Sequence, residues 1–294
     1  MSRPPDLLLV NPSAGGGRTG RLLGTARTAL EAAGVAHRVV MTTGIEHGRS
    51  EAAAAAAEGA RVLVMSGDGL IGQVGGALAG TGATLGLIPG GRGNDLARVL
   101  GIPADTEEAV AIVAAGVTRE IDVGEANGAR FLCIASCGFD SDANRIANEA
   151  QRVKGPLVYA YAALRALAAW KPARFTLSAD GEAFAVTGYT VAAANSQAYG
   201  GGMFIAPDAQ LDDGLLDVVA IGDVSKRRFL QGLPAVFRGE HIARPEVSVR
   251  RCAELRIEAD RPFVVYADGD PVAELPATIR VLPRALRVLV PSSP

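Results

Sequence analysis

Three aspartates, Asp68, Asp95 and Asp122, stand at or near the ends of short apolar runs, and two of them lie within glycine-rich segments. Those segments are Ser66-Gly67-Asp68-Gly69 and Pro89-Gly90-Gly91-Arg92-Gly93-Asn94-Asp95. A third, Asn11-Pro12-Ser13-Ala14-Gly15-Gly16-Gly17, opens the chain. Each follows an apolar run and precedes a helix-like segment. Backbone N–H groups in a glycine-rich turn, aimed by a helix N-terminus, favour an anion. Carboxylates nearby are the usual protein ligands of Mg²⁺, which neutralises charge on a transferring phosphate. These residue types fit a phosphoryl-transfer site for a large phosphate-bearing ligand, most simply a nucleotide. A plainer reading stays open. Tight strand-to-helix turns use glycine anyway, and aspartate also caps helices and closes turns.

Other nucleotide chemistries fit less well. The only lysines are Lys154, Lys171 and Lys226, and none completes a GK[ST] phosphate loop. A G-x-G-x-x-G dinucleotide fingerprint is not cleanly present at the first turn. The 29 basic and 31 acidic residues leave a net charge of −2, which argues against a general nucleic-acid binder. Cys133, Cys137 and Cys252 are odd in number, and Cys133 and Cys137 sit in an apolar run with no second pair nearby. They read as buried small hydrophobes rather than as a zinc site. No run of about 18 apolar residues offers a membrane span. The chain reads as soluble and cytoplasmic.

The elements that must position these groups change character along the 294 residues. With 49% hydrophobic and 20% charged residues, the chain can bury a substantial core. Up to residue 125, strand candidates at 7–10, 37–41, 62–65, 84–88 and 119–123 alternate with helical segments at 18–34, 46–59, 70–79 and 107–115. That alternation predicts βαβ units and a mostly parallel sheet, whose ligands bind at the carboxyl ends of the strands. From 126 to 294 the chain predicts a second, β-rich domain, sandwich- or barrel-like. Its strands are placed at 130–137, 174–178, 183–194, 215–221, 255–258, 263–267, 278–282 and 286–290, with a helix near 226–237. The last strand is placed where it could return to the first domain. Turn signals include Asp212-Asp213-Gly214 and Asp268-Gly269-Asp270. The amphipathic stretch 157–170 reads either as a packed helix or as a surface resting on a membrane.

Several segments together resemble the diacylglycerol kinase catalytic-domain family of bacterial soluble lipid kinases, related to sphingosine kinases. They are NPSAGGG at 11–17, SGDGLIGQVGGAL at 66–78, PGGRGNDLAR at 89–98, PDAQLDDGLLDV at 207–218 and DGD at 268–270. The broader pattern is similar to NAD kinases and phosphofructokinases. The resemblance implies an α/β N-terminal nucleotide-binding domain and a β-rich C-terminal domain, with ATP in the cleft between them. It implies a kinase that moves the γ-phosphate of ATP to a lipid hydroxyl at the membrane surface. The acceptor would be diacylglycerol or a related lipid, and the product phosphatidic acid or a related phospholipid. The protein would then associate transiently with membranes, and a homodimer stays open.

Residue by residue, the resemblance implies nucleotide contacts at Asn11, Ser13, Gly15 and Thr42. Further contacts fall on Ser66, Gly67, Asp68, Gly69, Leu70 and Gln73, and on Arg92 and Asn94. An active-site Mg²⁺ network would involve Asp68, Asp95 and Asp122. A structural Mg²⁺ would sit on Asp213 with backbone carbonyls near Gln210 and Leu215. The general base would come from the DGD turn, with Asp268 the first choice and Asp270 the second. Four positions depart from the family pattern. Leu70 replaces a threonine, Gln73 a glutamate, Arg92 a threonine and Asp270 a glutamate. Arg92 could compensate for Leu70 through a bidentate phosphate contact. The losses at Leu70 and Gln73 motivate an alternative, a nucleotide-binding regulator with little or no kinase activity.

Overall fold

The computed structural model describes residues 4–149 and 157–292. The first strands, β1 (Asp6–Val10) and β3 (Val62–Ser66), are apolar apart from Asp6 and Ser66 at their ends and are buried along their whole length. Strands covered by helices on both faces carry this pattern. With β2 (His37–Met41) and β4 (Thr84–Pro89) they form a parallel sheet in the order β2-β1-β3-β4. The helices between them are α1 (Ala14–Ala32), α2 (Ile45–Ala57) and α3 (Asp68–Leu78). Two more follow β4, the short α4 (Asp95–Val99) and α5 (Thr106–Ala115). Local signals set the ends of α5. Asp105 accepts from the N–H groups of Glu107 and Glu108, and Gly116 closes the helix in the left-handed region. Gly15, Gly16 and Gly17 inside α1 have φ of 60°, 68° and 84°, so regular helix starts at Arg18, as the sequence predicts.

The fifth predicted strand does not extend the parallel sheet. β5 (Thr118–Ala126) runs antiparallel to β15 (Ala277–Leu289), and β15 itself pairs in parallel with β4. The final strand thus takes the place beside β4. The predicted strands 278–282 and 286–290 are this one strand, with a register break between Leu282 and Leu286. Pro283 lacks an N–H, and Arg284 at the break has φ +49°.

The remaining strands are antiparallel. After β6 (Ala129–Phe131) come β7 (Ile134–Gly138), β8 (Ala173–Ala179), β9 (Glu182–Ala194) and β10 (Leu216–Gly222). Then follow β11 (Val247–Cys252), β12 (Glu254–Ala259), β13 (Val264–Ala267) and β14 (Asp270–Glu274). They join β15 through β12, which gives the β-rich second half. β11 escapes the sequence reading because four of its six residues are exposed and it shows no apolar run. Helices α6 (Phe139–Glu149), α7 (Leu157–Ala169) and α8 (Lys226–Val236) cover this half. A cluster of Phe139, Trp170, Phe175, Tyr189, Phe229 and Phe263 fills its core, with Tyr189 stacked on Phe229 at 4.2 Å. The stretch 157–170 packs here through Ala166, Leu167 and Trp170, while Leu164 is exposed. All three cysteines are buried and free. Among the described residues no helix is long and apolar enough to cross a membrane.

Candidate active site

The three glycine-rich turns meet at the carboxyl ends of β1, β3 and β4. A Cβ on Gly15 would run into the carbonyl oxygen of Gly90, and one on Gly91 would stand 2.5 Å from Cα of Gly67. Only glycine allows main chains this close. Three successive left-handed residues at 15–17 set the first loop, and Nη2 of Arg92 lies 3.8 Å from where a Cβ on Gly16 would stand. Arg92 is exposed and has no protein partner among the described residues. A free guanidinium beside a glycine loop can pair with a phosphate.

The side chains predicted to touch nucleotide divide. Asn11 Oδ1 accepts from the N–H of Ser13 at 3.2 Å and from its hydroxyl at 2.8 Å, so this pair shapes its own turn. Thr42 donates its hydroxyl to the Val10 carbonyl at 3.2 Å. Ser66 is buried, and its carbonyl accepts from the Gly90 N–H at 2.8 Å. Asn94 closes its loop by accepting from the Gly91 N–H at 2.9 Å. Leu70 is buried, with its methyl packed toward Gly48 and Thr42. Gln73 does not turn to the glycine loops. Its Nε2 donates to Asp270 Oδ2 at 3.1 Å.

Asp68 accepts from the N–H of Asn94 at 2.7 Å and of Asp95 at 2.6 Å, so it clamps the second glycine turn to the third. A Cβ on Gly93 would stand 2.7 Å from Asp68 Oδ2 and 3.3 Å from Asp95 Oδ2, which places the two carboxylates on either side of one point. Asp95 is buried. Its Oδ2 accepts from the Gly201 N–H at 2.8 Å, while Oδ1 is buried without a partner. Burial pushes the Asp95 carboxyl up, the Gly201 amide draws it back, and the charge of Asp68 adds to the rise. An orphaned carboxylate oxygen beside a second carboxylate is a donor set of hard oxygens, and it fits Mg²⁺.

Asp122 does not join them. Its fully buried carboxylate accepts from the N–H of Gly214 and of Arg284, each at 2.7 Å. It therefore satisfies the break in β15 and ties down the Asp213 loop. Among the described residues no three His, Cys, Asp or Glu side chains gather as a metal-holding group. In place of the expected three-aspartate network, the geometry gives a pair plus a structural tie. At the Asp213 loop, Asp213 Oδ1 accepts from the Leu215 N–H at 3.0 Å, and Gln210 is exposed. The Arg251 guanidinium stands 3.9 Å from Asp213 and donates to Asp217 at 3.1 Å and to the Asp208 carbonyl at 3.0 Å. The Arg251 guanidinium thus stands beside the loop expected to hold a structural Mg²⁺.

The DGD turn lies between β13 and β14. Asp268 has φ +49°, and its carboxylate accepts three main-chain bonds: Leu132 N–H at 2.7 Å, Cys133 N–H at 2.9 Å and Ile134 N–H at 3.1 Å. Burial pushes this carboxyl up to about 6, the three amides draw it back, and the charge of Asp68 adds to the rise. Asp268 Oδ2 also lies 3.1 Å from where a Cβ on Gly72 of α3 would stand.

Sequence reasoning missed the partners that hold the site closed. Gly200, Gly201 and Gly202 have φ of 63°, 84° and 104°, and Gly201 reaches Asp95 from the β-rich half. The signal was available, since three glycines follow a predicted strand just as at 15–17. The amides of Leu132–Ile134 carry no side-chain signal at all.

Both halves of the chain resemble known proteins. Residues 5–126 match the diacylglycerol kinase catalytic domain, and residues 133–290 match the YegS C-terminal NAD kinase beta sandwich-like domain. The chain is 38% identical over 292 residues to a diacylglycerol kinase of Mycobacterium tuberculosis, covering 96% of this chain and 94% of that one. It is 30% identical over 236 residues to a diacylglycerol kinase of Bacillus subtilis, covering 78% and 77%. A crystal structure of a diacylglycerol kinase from Bacillus anthracis shares the fold, with a TM-score of 0.75 at 22% identity over 98% of this chain and 97% of that one. Both halves match, and a relative 38% identical spans nearly the whole chain, so the chain belongs to the diacylglycerol kinase catalytic-domain family, a family of lipid kinases.

Proposed function

We propose that the chain transfers the γ-phosphate of ATP to a hydroxyl of diacylglycerol or a closely related lipid. One observation carries this reading. Helix α3 begins at Asp68, which clamps the phosphate loops, and reaches the DGD turn at Gly72 and Gln73. Five residues of helix span about 7.5 Å, so a base on that turn lies within reach of a γ-phosphate held at the loops.

Asp270 is the better base, which reverses the order expected from sequence. Both oxygens of Asp268 already accept main-chain N–H bonds. A carboxylate offers about four acceptor sites, and Asp268 spends three of them as an anchor. Asp270 accepts one bond, on Oδ2. In the proposed step the lipid oxygen bonds to the γ-phosphorus, its proton passes to Asp270 Oδ1, and the bond from phosphorus to the β–γ bridging oxygen breaks as ADP leaves. The glycine loops and Arg92 bind and orient the phosphates. Mg²⁺ held by Asp68 and Asp95 would neutralise charge on the outer phosphates.

The reading of a nucleotide binder without transfer draws on Leu70, which brings no hydroxyl to the loops. Its burial against Gly48 marks it as packing. The test is incubation with Mg·ATP labelled at the γ-position and vesicles containing diacylglycerol or sphingosine. Label on diacylglycerol supports the proposal. Nucleotide binding with no labelled lipid supports the regulator.

A further inference from the structure

We propose that Gln73 is a positioning residue, whose amide fixes one oxygen of Asp270 and leaves the other to the acceptor hydroxyl. The inference rests on Asp270 being the base. Its ground is a single side-chain hydrogen bond, Gln73 Nε2 to Asp270 Oδ2 at 3.1 Å, across 197 positions of sequence. A carboxylate only accepts, so the amide must present its nitrogen to it.

Helix α3 meets the DGD turn twice. At Gly72 it withholds a side chain, and Asp268 Oδ2 comes within 3.1 Å of the missing carbon. At Gln73 it supplies a donor. The 11-residue helix thus fixes the phosphate loops at its first residue and both turn carboxylates little more than one turn later. Any shift of α3 would move the phosphate loops and the base together, which preserves the near-attack geometry that transfer needs.

The chemistry explains why an amide serves here. The terminal torsion of an aspartate is broad and roughly two-fold, so a lone carboxylate turns its plane freely. A donor on Oδ2 sets that plane and selects Oδ1 as the working oxygen. The amide carries no charge and no titratable proton, so it orients the base without competing for the proton to be moved. A glutamate at 73, which the family pattern would supply, would place a second carboxylate against the first, and two such acids share one proton. Gln73 and Asp270 meet each other from opposite halves of the chain. The shorter acid and the neutral donor form one unit.

The test is a kinetic cycle on the full chain with Mg·ATP and short-chain diacylglycerol in detergent micelles. It uses Gln73→Met, Asp270→Asn and the double variant. Methionine keeps the length of glutamine and removes the donor. We expect Gln73→Met to lower kcat by about 10- to 100-fold, the worth of one hydrogen bond to a charged group. KM for ATP should stay within about twofold if ground-state nucleotide binding is untouched. In the Asp270→Asn background the same substitution should change kcat by less than about twofold, because an asparagine can still accept the bond but leaves no base to orient. A tie that only joins the two halves would lower the melting temperature and spare kcat. Wild-type kcat in Gln73→Met, a rise in KM for ATP alone, or an equal loss in both backgrounds overturns the inference. If Asp270→Asn itself turns over at the wild-type rate, the assignment of the base fails first. If Asp270→Asn is slow and Gln73→Met is not, only the role of Gln73 falls.

Discussion

Leu70 occupies the space that a side chain at position 48 would need: its Cδ1 lies 2.7 Å from the ideal Cβ position of Gly48. The two residues sit on neighbouring helices, α3 and α2, and the methyl of Thr42 lies 3.4 Å from the same position. A glycine inside a helix normally costs about 1 kcal/mol relative to alanine. Here it makes room for the bulkier residue at 70. Gly48→Ala is expected to destabilise the protein by up to about 2 kcal/mol, the overpacking cost of about 1–3 kcal/mol less the roughly 1 kcal/mol of regained helix propensity. In a Leu70→Thr background the same change should stabilise it, since the clash is gone and helix propensity is gained. Chemical denaturation of the four proteins measures the cycle, and equal effects of Gly48→Ala in both backgrounds would break the link.

In the proposed function Arg92 contacts the outer phosphates. It is exposed, free of protein partners among the described residues, and near Gly16. Arg92→Ala is expected to weaken ATP binding by about 10-fold or more, the scale of a charge-assisted hydrogen bond. AMP binding should barely change, because AMP lacks the outer phosphates. Calorimetric titration with both nucleotides measures the contrast, and equal losses would place Arg92 away from those phosphates.

Asp122 bears on stability. Its buried carboxylate accepts two N–H bonds of 2.7 Å, and an asparagine there would turn an amide nitrogen toward one of those donors. Asp122→Asn is expected to cost about 2–3 kcal/mol. The activity of the protein that remains folded should persist. A variant of native stability with lost activity would return Asp122 to the metal site.

Asp268 gives a pH dependence of definite sign. Its carboxyl is raised to about 6 in the folded protein, so the folded state binds this proton more tightly than the unfolded chain does. Its contribution to stability is fully present below the ordinary aspartate range and is lost as pH rises through about 6. The stability difference between wild type and Asp268→Asn should therefore be larger at low pH, near the ordinary aspartate value, than at neutral pH. Asp268→Asn should also be less stable at every pH, because its amide nitrogen would face one of the N–H groups of Leu132–Ile134. Urea melts across this range test both points, and a difference that grows with pH would contradict the raised value.

What was legible in sequence and what was not follows from the kind of group involved. The glycine turns at 15–17, 67–69 and 90–93 are legible because close main-chain approach demands a residue type. The parallel strands are legible because burial on both faces makes them apolar apart from their ends. The roles of the aspartates are less so. Asp68, Asp95, Asp122 and Asp268 share one residue type, yet one clamps loops, one keeps an open oxygen, one ties a strand break and one anchors a turn. Their partners are main-chain N–H groups, which no sequence pattern marks. The Gln73–Asp270 bond joins residues 197 positions apart, so only the folded chain shows it. β15 reads from sequence as two strands, whereas in the fold the buried Asp122 carboxylate satisfies the break between them.

The most direct measurement is phosphate transfer from labelled ATP to diacylglycerol by the wild type and by Asp270→Asn, with ATP affinity measured on the same samples. The wild type should label diacylglycerol, Asp270→Asn should slow transfer by about 10²–10⁴-fold, and ATP should bind both proteins alike. Wild-type protein that binds ATP and labels no lipid, or an Asp270→Asn protein that transfers phosphate at the wild-type rate, would contradict the assignment.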